Sequence, residues 1–425
     1  MKKLVILMAL TFQVCYAQND KKAAPESVTL DSCIHWAKQN YPLIRQNGLL
    51  AEYSASNIKT INENWYPKLS FLAKGTYNTE VVAFDIPGFN TAFPHDQYVA
   101  NINLDQTLFD GGQTKKQKQI EQLSTGVEIQ KNEVELYKLV DRVSQIYVNI
   151  LLTQENLEVL DVYKSDLDNR RKNLEANTQN GLALESSLDE LDAESLKTEQ
   201  SIIEGRENLE VLIQTLSVYV GKPISDRASF VAEPIGGKTS GDAITRPELK
   251  LLDLQSQLMD TRFELTNKMA MPRISFFADA NYGRPGPNFI NQNLRFFGDA
   301  GLSIRWNISS LYGLSKEQQR FQVNQQMLEV QREVFLFNLK NSLATQTGQI
   351  NSLQDIIAKD QQIIEKRHSV TTTAAAQLEN GKITLTDYLT QLNAEMQAKL
   401  NQKMHEIKLM SAMTTYNTTK GINNF

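Results

Sequence analysis

Several residue patterns in this chain could carry chemistry, and each asks for a context that can be checked along the sequence. Ala232-Glu-Pro-Ile-Gly-Gly-Lys-Thr239 satisfies a relaxed phosphate-loop pattern. Phosphate binding there needs a buried strand before the glycines and a helix starting at the threonine, so that backbone amides cradle the anion. Here Ser240-Gly241-Asp242 follows within a polar stretch, so no nucleotide is expected. His35, His95, His368 and His405 stand far apart and lack metal-ligand spacing. Aspartate and glutamate together number 49, but most occupy helical positions where charge is the ordinary solvated filler. No nucleophile elbow or catalytic triad can be assembled. The residues predict neither an enzyme nor a cofactor or metal site.

The chain's address is more informative. Lys2 and Lys3, the apolar run Leu4 to Phe12, and Cys15-Tyr16-Ala17 before Gln18 read as a cleaved signal peptide over residues 1–17. Residues 18–28 read as a flexible leader. Loss of the two lysines takes the formal charge of −5 to −7, because no acid lies in that segment. A mildly acidic, helix-rich exported chain is no candidate for nucleic acid. Cys33 then stands alone, so neither an intrachain disulfide nor a cysteine metal cluster is expected. No later apolar run is long enough for a transmembrane helix, so any crossing of a membrane falls to strands.

Two long stretches dominate the rest. Gln113 to Val220 contains no proline, and its apolar residues recur at helical spacing, as in Leu136, Leu139, Val140, Val143, Tyr147, Ile150 and Leu151. The run is broken by Gly181. Ser315 to Asn380 is a second such arm, ending at Gly381. Helices of this length need partners of equal length and so predict coiled-coil packing. Before each arm lie two period-2 stretches. In one pair Leu69, Phe71, Ala73 and Tyr77, then Tyr98, Ala100, Ile102 and Leu104, share an apolar face; in the other, Ile274 to Tyr282 and Ala300 to Ile308 do. The halves repeat: Pro42 and Pro67 are 25 residues apart, as are Pro247 and Pro272, while Gly181 and Gly221 are 40 apart, as are Gly381 and Gly421. Tandem duplication explains these spacings together. The expected organisation is a first repeat over 29–220, with strands about 66–79 and 98–109 and a helical hairpin about 113–220. An irregular equatorial linker covers 221–242. The second repeat covers 243–425, with strands about 272–283 and 298–308 and a hairpin about 314–420.

Strands of about ten residues with one apolar face suit a transmembrane β-barrel. Four strands cannot close one, and an open edge in lipid leaves backbone groups unpaired, so spanning requires several chains to share a barrel. A soluble sheet with its apolar face under a helix is the other physical solution. Both glycine turns also leave small or aliphatic residues at a bend: Gly181, Leu182, Ala183 and Leu184 in the first copy, and Gly381, Ile383 and Leu385 in the second. Apolar residues exposed at the end of a coiled coil predict docking of a partner coiled coil.

The whole mature chain resembles the TolC-like outer-membrane efflux family. The resemblance is carried by Leu30-Asp-Ser-Cys-Ile-His-Trp-Ala37 with Asn40 and Pro42, by Trp65-Tyr-Pro67, by Gln106-Thr-Leu-Phe-Asp-Gly-Gly112, and by the turns Asn180-Gly-Leu-Ala183 and Asn380-Gly-Lys-Ile-Thr384 with Asp387. The duplicated order of these motifs is more specific than any one of them. It implies a mainly α fold with a small β part. Two tandem repeats of helix, strand, strand and long helical hairpin trimerise into a twelve-stranded outer-membrane β-barrel on a twelve-helix periplasmic α-barrel. It also implies an exit duct, passive and served by a periplasmic adaptor (membrane fusion) protein and an inner-membrane pump of RND or ABC type. The system would be tripartite efflux or type I secretion. The resemblance points Asp387 inward as part of a ring at the closed end. A second acid one turn later is replaced here by Thr390. Lys382 falls near a basic tip residue that ties the gate shut in some members, although its partner position, near Ser187, is uncharged. Asp387 has an alternative reading as a solvated carboxylate favoured at a helix N-terminus. The rival reading of the whole chain is a periplasmic coiled-coil scaffold that is not a channel.

Overall fold

The computed structural model describes residues 27–87, 89–181, 184–226, 228–231, 244–288 and 291–421. The segment read as a signal peptide, the one read as a leader up to residue 26, and the phosphate-loop-like segment at 232–239 lie outside them. Proline and glycine punctuate both repeats. Helix α1 (Leu30–Asn40) is capped by Thr29, whose hydroxyl accepts from the Ser32 amide at 3.2 Å. Tyr41-Pro42 breaks the chain before α2 (Leu43–Asn62), since the residue before a proline is driven out of helical geometry. After a 3-10 turn at Glu63–Trp65 and Pro67 comes strand β2 (Lys68–Tyr77); a two-residue strand β1 (Ser27–Val28) precedes α1. A short hairpin, β3 (Ala83–Ile86) and β4 (Phe89–Ala92), occupies the stretch between β2 and β5 (Asp96–Phe109).

Helix α3 (Gln113–Gln179) runs 67 residues without interruption, about 100 Å at 1.5 Å per residue. Its start explains the Asp-Gly-Gly motif. The Asp110 carboxylate accepts from the amides of Gly112 at 2.8 Å and Thr114 at 2.7 Å, satisfying donors that the first turn leaves free. Gly111 sits at φ +69° with Met271 so close that a Cβ would stand 2.6 Å from the methionine Cβ. Helix α4 (Glu185–Val220) returns antiparallel. The second copy follows the same plan: α5 (Pro247–Met269), β7 (Arg273–Arg284), β8 (Arg295–Arg305), a 3-10 turn at Ile308–Gly313, α6 (Leu314–Glu379) and α7 (Leu385–Lys420). Ile308, read from the sequence as the end of a strand, belongs to that turn, because the chain leaves extended geometry after Arg305.

β2, β5, β7 and β8 form one antiparallel sheet in that order, with β2 and β8 as its edges. The main core lies beside α1. There Cys33, Ile34 and Ala37 pack on Leu139, Val140 and Val143 of α3 and on Leu216 and Val220 of α4. Two segments read as leader and linker meet there: β1 pairs in parallel with β6 (Ser229–Phe230). Tyr147 clamps the pair from α3, its hydroxyl 2.9 Å from the Val28 carbonyl and 2.8 Å from that of Val231. Burial pushes the Cys33 thiol up to about 12, so it is an inert packing residue rather than a nucleophile.

Candidate functional site

Pairing puts the alternating side chains of the sheet into rows. On one face Leu69, Leu104, Ala278 and Ala300 are neighbours in register, as are Phe71, Ile102, Ala280 and Gly298, and then Ala73, Ala100, Tyr282 and Phe296. Nothing among the described residues covers this face: Leu69 and Phe71 are each 70% exposed. Aromatic side chains border it at both ends. Tyr77, Tyr98, Tyr282 and Phe296 lie at the far end, and Trp65, Tyr66, Trp306 and Tyr312 at the helical end, all exposed. The opposite face mixes polar residues, which bond to one another, with Leu72, Val99, Phe277 and Phe297. Asn101 donates to Asp279 and Asn281, each at 2.8 Å, and Asn103 to Asp279 at 3.1 Å. The helix expected to cover the apolar face of a soluble sheet is not there among the described residues.

The helices repeat this pattern of open edges. Beneath the sheet α2, α3, α5 and α6 pack in that order; towards the glycine turns the order is α4, α3, α7 and α6. Nothing of substance joins α6 to α2 or to α4 among the described residues. These outer helices carry exposed apolar stripes. On α4 they are Leu196, Ile203, Val211 and Val218, in steps of seven, eight and seven; on α6 they include Ile356, Ile363 and Val370, in steps of seven. Steps of about seven are the repeat of a coiled-coil seam. No helix is long and apolar enough to cross a membrane among the described residues.

At the tip, Gly181 (φ +71°) ends α3 and Gly381 (φ +66°) ends α6. Leu182 and Ala183 lie outside the described residues, while Leu184 is exposed. Leu385 departs from the exposed position expected of it. It is buried with Tyr163 and Leu167 of α3, Leu191 of α4 and Ala374 of α6, because α7 enters the four-helix seam at its first residue. It therefore packs the tip and leaves Ile383, half-buried, as the aliphatic residue nearest the second bend. Lys382 is exposed.

Asp387 is exposed and occupies the third position of α7 in a capping box. Its Oδ2 accepts from the Thr384 amide at 3.1 Å and from the Thr384 hydroxyl at 2.7 Å, and its own amide donates back to Thr384 Oγ1 at 3.2 Å. These bonds hold its carboxyl below the usual carboxylate range. Thr390, also exposed, donates to the Thr386 carbonyl at 2.8 Å. Thr384 was legible as a partner, since threonine with an acid three residues on is a capping signature.

Other polar residues of the seam were not legible. Arg170 of α3 lies over the Tyr388 ring. Glu395 of α7, 4% exposed, accepts from Lys399 at 2.8 Å and meets His368 of α6 at 3.0 Å. Burial alone would raise this carboxyl, but the bonds from Lys399 and His368 outweigh it and the net direction is downward. His405 pairs with the buried Asp360 at 2.6 Å. The histidines thus tie α6 to α7 one by one. No cluster able to hold a metal occurs among the described residues.

No family model and no curated relative matches the chain. Among solved structures the fold is similar to that of the outer membrane protein VceC from Vibrio cholerae, at 14% identity and a TM-score of 0.66 over 92% of this chain and 96% of that one. The Campylobacter jejuni CmeC outer membrane channel is similar at 13% identity and a TM-score of 0.64, over 92% and 85%. The open-state MtrE outer membrane channel of Neisseria gonorrhoeae gives 13% and 0.64, over 92% and 88%.

Proposed function

We propose that this chain, which shares the fold of these outer-membrane channels as its TolC-like resemblance implies, is one protomer of a homotrimeric outer-membrane exit duct. In this reading three four-stranded sheets share one barrel whose apolar face meets lipid, and the helical arcs close into a tube crossing the periplasm. The observation that carries it is the coincidence of open edges at every level: β2 and β8 in the sheet, α2 and α6 below it, α4 and α6 towards the tip. An apolar face flanked by two aromatic borders is the pattern of a strand layer in a bilayer. Unpaired edges in lipid require other copies to satisfy them. The duct is passive, with energy supplied by an inner-membrane pump of RND or ABC type reached through a periplasmic adaptor protein. Tripartite efflux and type I secretion both fit. The test is the mass of the detergent-extracted protein. A trimer that survives mild detergent is expected; a monomer with full helix content would overturn the shared barrel. Extraction separates the scaffold reading, since a scaffold washes off the outer membrane in high salt while a duct needs detergent.

A further inference from the structure

The outer helices α4 and α6 carry exposed apolar stripes, and contacts inside the chain fix the relative heights of the two. Lys164 of α3 meets Glu199 of α4 at 3.5 Å, Lys403 of α7 meets Glu155 of α3 at 2.7 Å, and His405 of α7 meets Asp360 of α6 at 2.6 Å. Counted along helices that run alternately down and up, these pairs set Glu199 of α4 level with Thr371 of α6. A second set of contacts gives the same level: Arg171 with Asp192, Tyr163 with Asn393, and His368 with Glu395. On that scale Val370 stands four residues above Leu196 and three below Ile203. Ile363 stands four above Ile203 and four below Val211, and Ile356 three above Val211 and four below Val218. The stripes interleave in steps of three and four, the layer spacing of a coiled-coil seam. Within one chain they do not meet, because α3 and α7 lie between them.

The flanks of the stripes add charges of opposite sign at matching heights. On the same scale Lys366 of α6 is level with Glu204 of α4, and Lys359 stands one residue above Glu210. All four are exposed. Glu204 and Glu210 accept from Gln200 and Gln214 of their own helix, and none of the four is in an ion pair among the described residues. A rotation about an axis parallel to the helices carries a copy sideways and leaves each residue at its height. A ring of copies therefore presents the α6 of one to the α4 of the next in this register. Resting on the ring closure proposed above, we infer that α4 of each copy seats antiparallel against α6 of the next. Val370 of the next copy enters between Leu196 and Ile203, and Glu204 and Glu210 face its Lys366 and Lys359.

Disulfide trapping in the full-length protein tests the register. Cys33 is buried, with its thiol pushed up to about 12, so it does not compete. Gln200→Cys combined with Val370→Cys, which the register sets level, should give covalent trimers on oxidation, read on non-reducing gels. Gln200→Cys combined with Ile363→Cys, about 10 Å apart along the helices, should give none. Trapping of the mismatched pair as readily as the matched one, or of neither, would overturn the register. Charge reversal is the second arm. Glu204→Lys and Lys366→Glu should each lower the temperature at which trimers dissociate, and the double reversal should recover about half of the loss or more. Single reversals that behave as wild type, or a double that recovers nothing, would overturn the ion pair. Mass in mild detergent separates this joint from the duct reading. A trimer that is not trapped keeps the duct and leaves the stripes to another chain, while trapping in a ring of a different size keeps the joint and removes the trimer. A monomer overturns both.

Discussion

Arg170 stands over the ring of Tyr388 with its guanidinium carbon 4.0 Å from the ring centroid, joining α3 of the first repeat to α7 of the second. The ring is fully buried among Tyr163, Leu167 and Leu392. Tyr388→Ala should therefore cost about 3–5 kcal/mol, as for other large aromatic truncations. Tyr388→Phe should cost less, about 0.5–1.5 kcal/mol, because it keeps the buried ring and removes only the hydroxyl's hydrogen bond to Asp166. Arg170→Ala should cost about 1 kcal/mol through loss of the cation–π contact. Urea unfolding followed by circular dichroism ranks the three. A loss in Tyr388→Phe as large as that in Tyr388→Ala would overturn the view that ring packing dominates.

The turn glycines separate by what surrounds them. A Cβ on Gly381 meets nothing within 4 Å, whereas one on Gly421 would stand 2.8 Å from the Thr245 carbonyl carbon. Both are left-handed, so alanine costs about 1–2 kcal/mol at either from backbone strain alone. Gly421→Ala adds overpacking of about 1–3 kcal/mol. Melting temperatures should fall more for Gly421→Ala than for Gly381→Ala. Bulky residues at Gly181 or Gly381 should impair export while trimers still reach the membrane. Untouched export in both would remove the turns from the docking surface.

Much of this architecture was legible because periodicity is local. The alternation in Leu69 to Tyr77 and Ile274 to Tyr282 marks strands, and proline-free runs at helical spacing mark α3 and α6. Contacts between remote segments were not. β1 and β6 are two residues each and some 200 residues apart, too short to carry a period. Leu385 is aliphatic next to a turn, and only the packing of α7 on α3 decides that it is buried. The same packing sets Arg170 on Tyr388 and His368 on Glu395, pairs that no spacing in the sequence reports.

Glu395 predicts an acid-sensitive hairpin. Its folded carboxyl lies below its ordinary value of 4.5, so its bonds to Lys399 and His368 contribute stability above that pH. The contribution is lost as pH falls below 4.5 and through the folded value. Wild type should melt above Glu395→Gln at neutral pH, and the gap should close on acidification through that window. A gap independent of pH would show that the carboxylate's charge plays no part.

Asp387 tests the tip. Within one chain its carboxylate is held ionised by Thr384, while exposed Thr390 one turn on adds hydroxyls and no charge. If threefold closure brings this part of α7 towards the axis, three such carboxylates form a single-tier ring. Close like charges raise one another's pKa, an effect opposed here by the Thr384 bonds, so the ring stays charged near neutral pH and attracts cations. Trimers in planar bilayers should show low, cation-selective conductance that divalent or trivalent cations reduce from the periplasmic side. Asp387→Ala should weaken selectivity and block without preventing trimer formation. Thr384→Ala separates the two roles: it removes the cap's hydroxyl but keeps the charge, so cation block should persist as helix stability falls. Wild-type block in Asp387→Ala would make the residue a helix cap alone and move the constriction elsewhere.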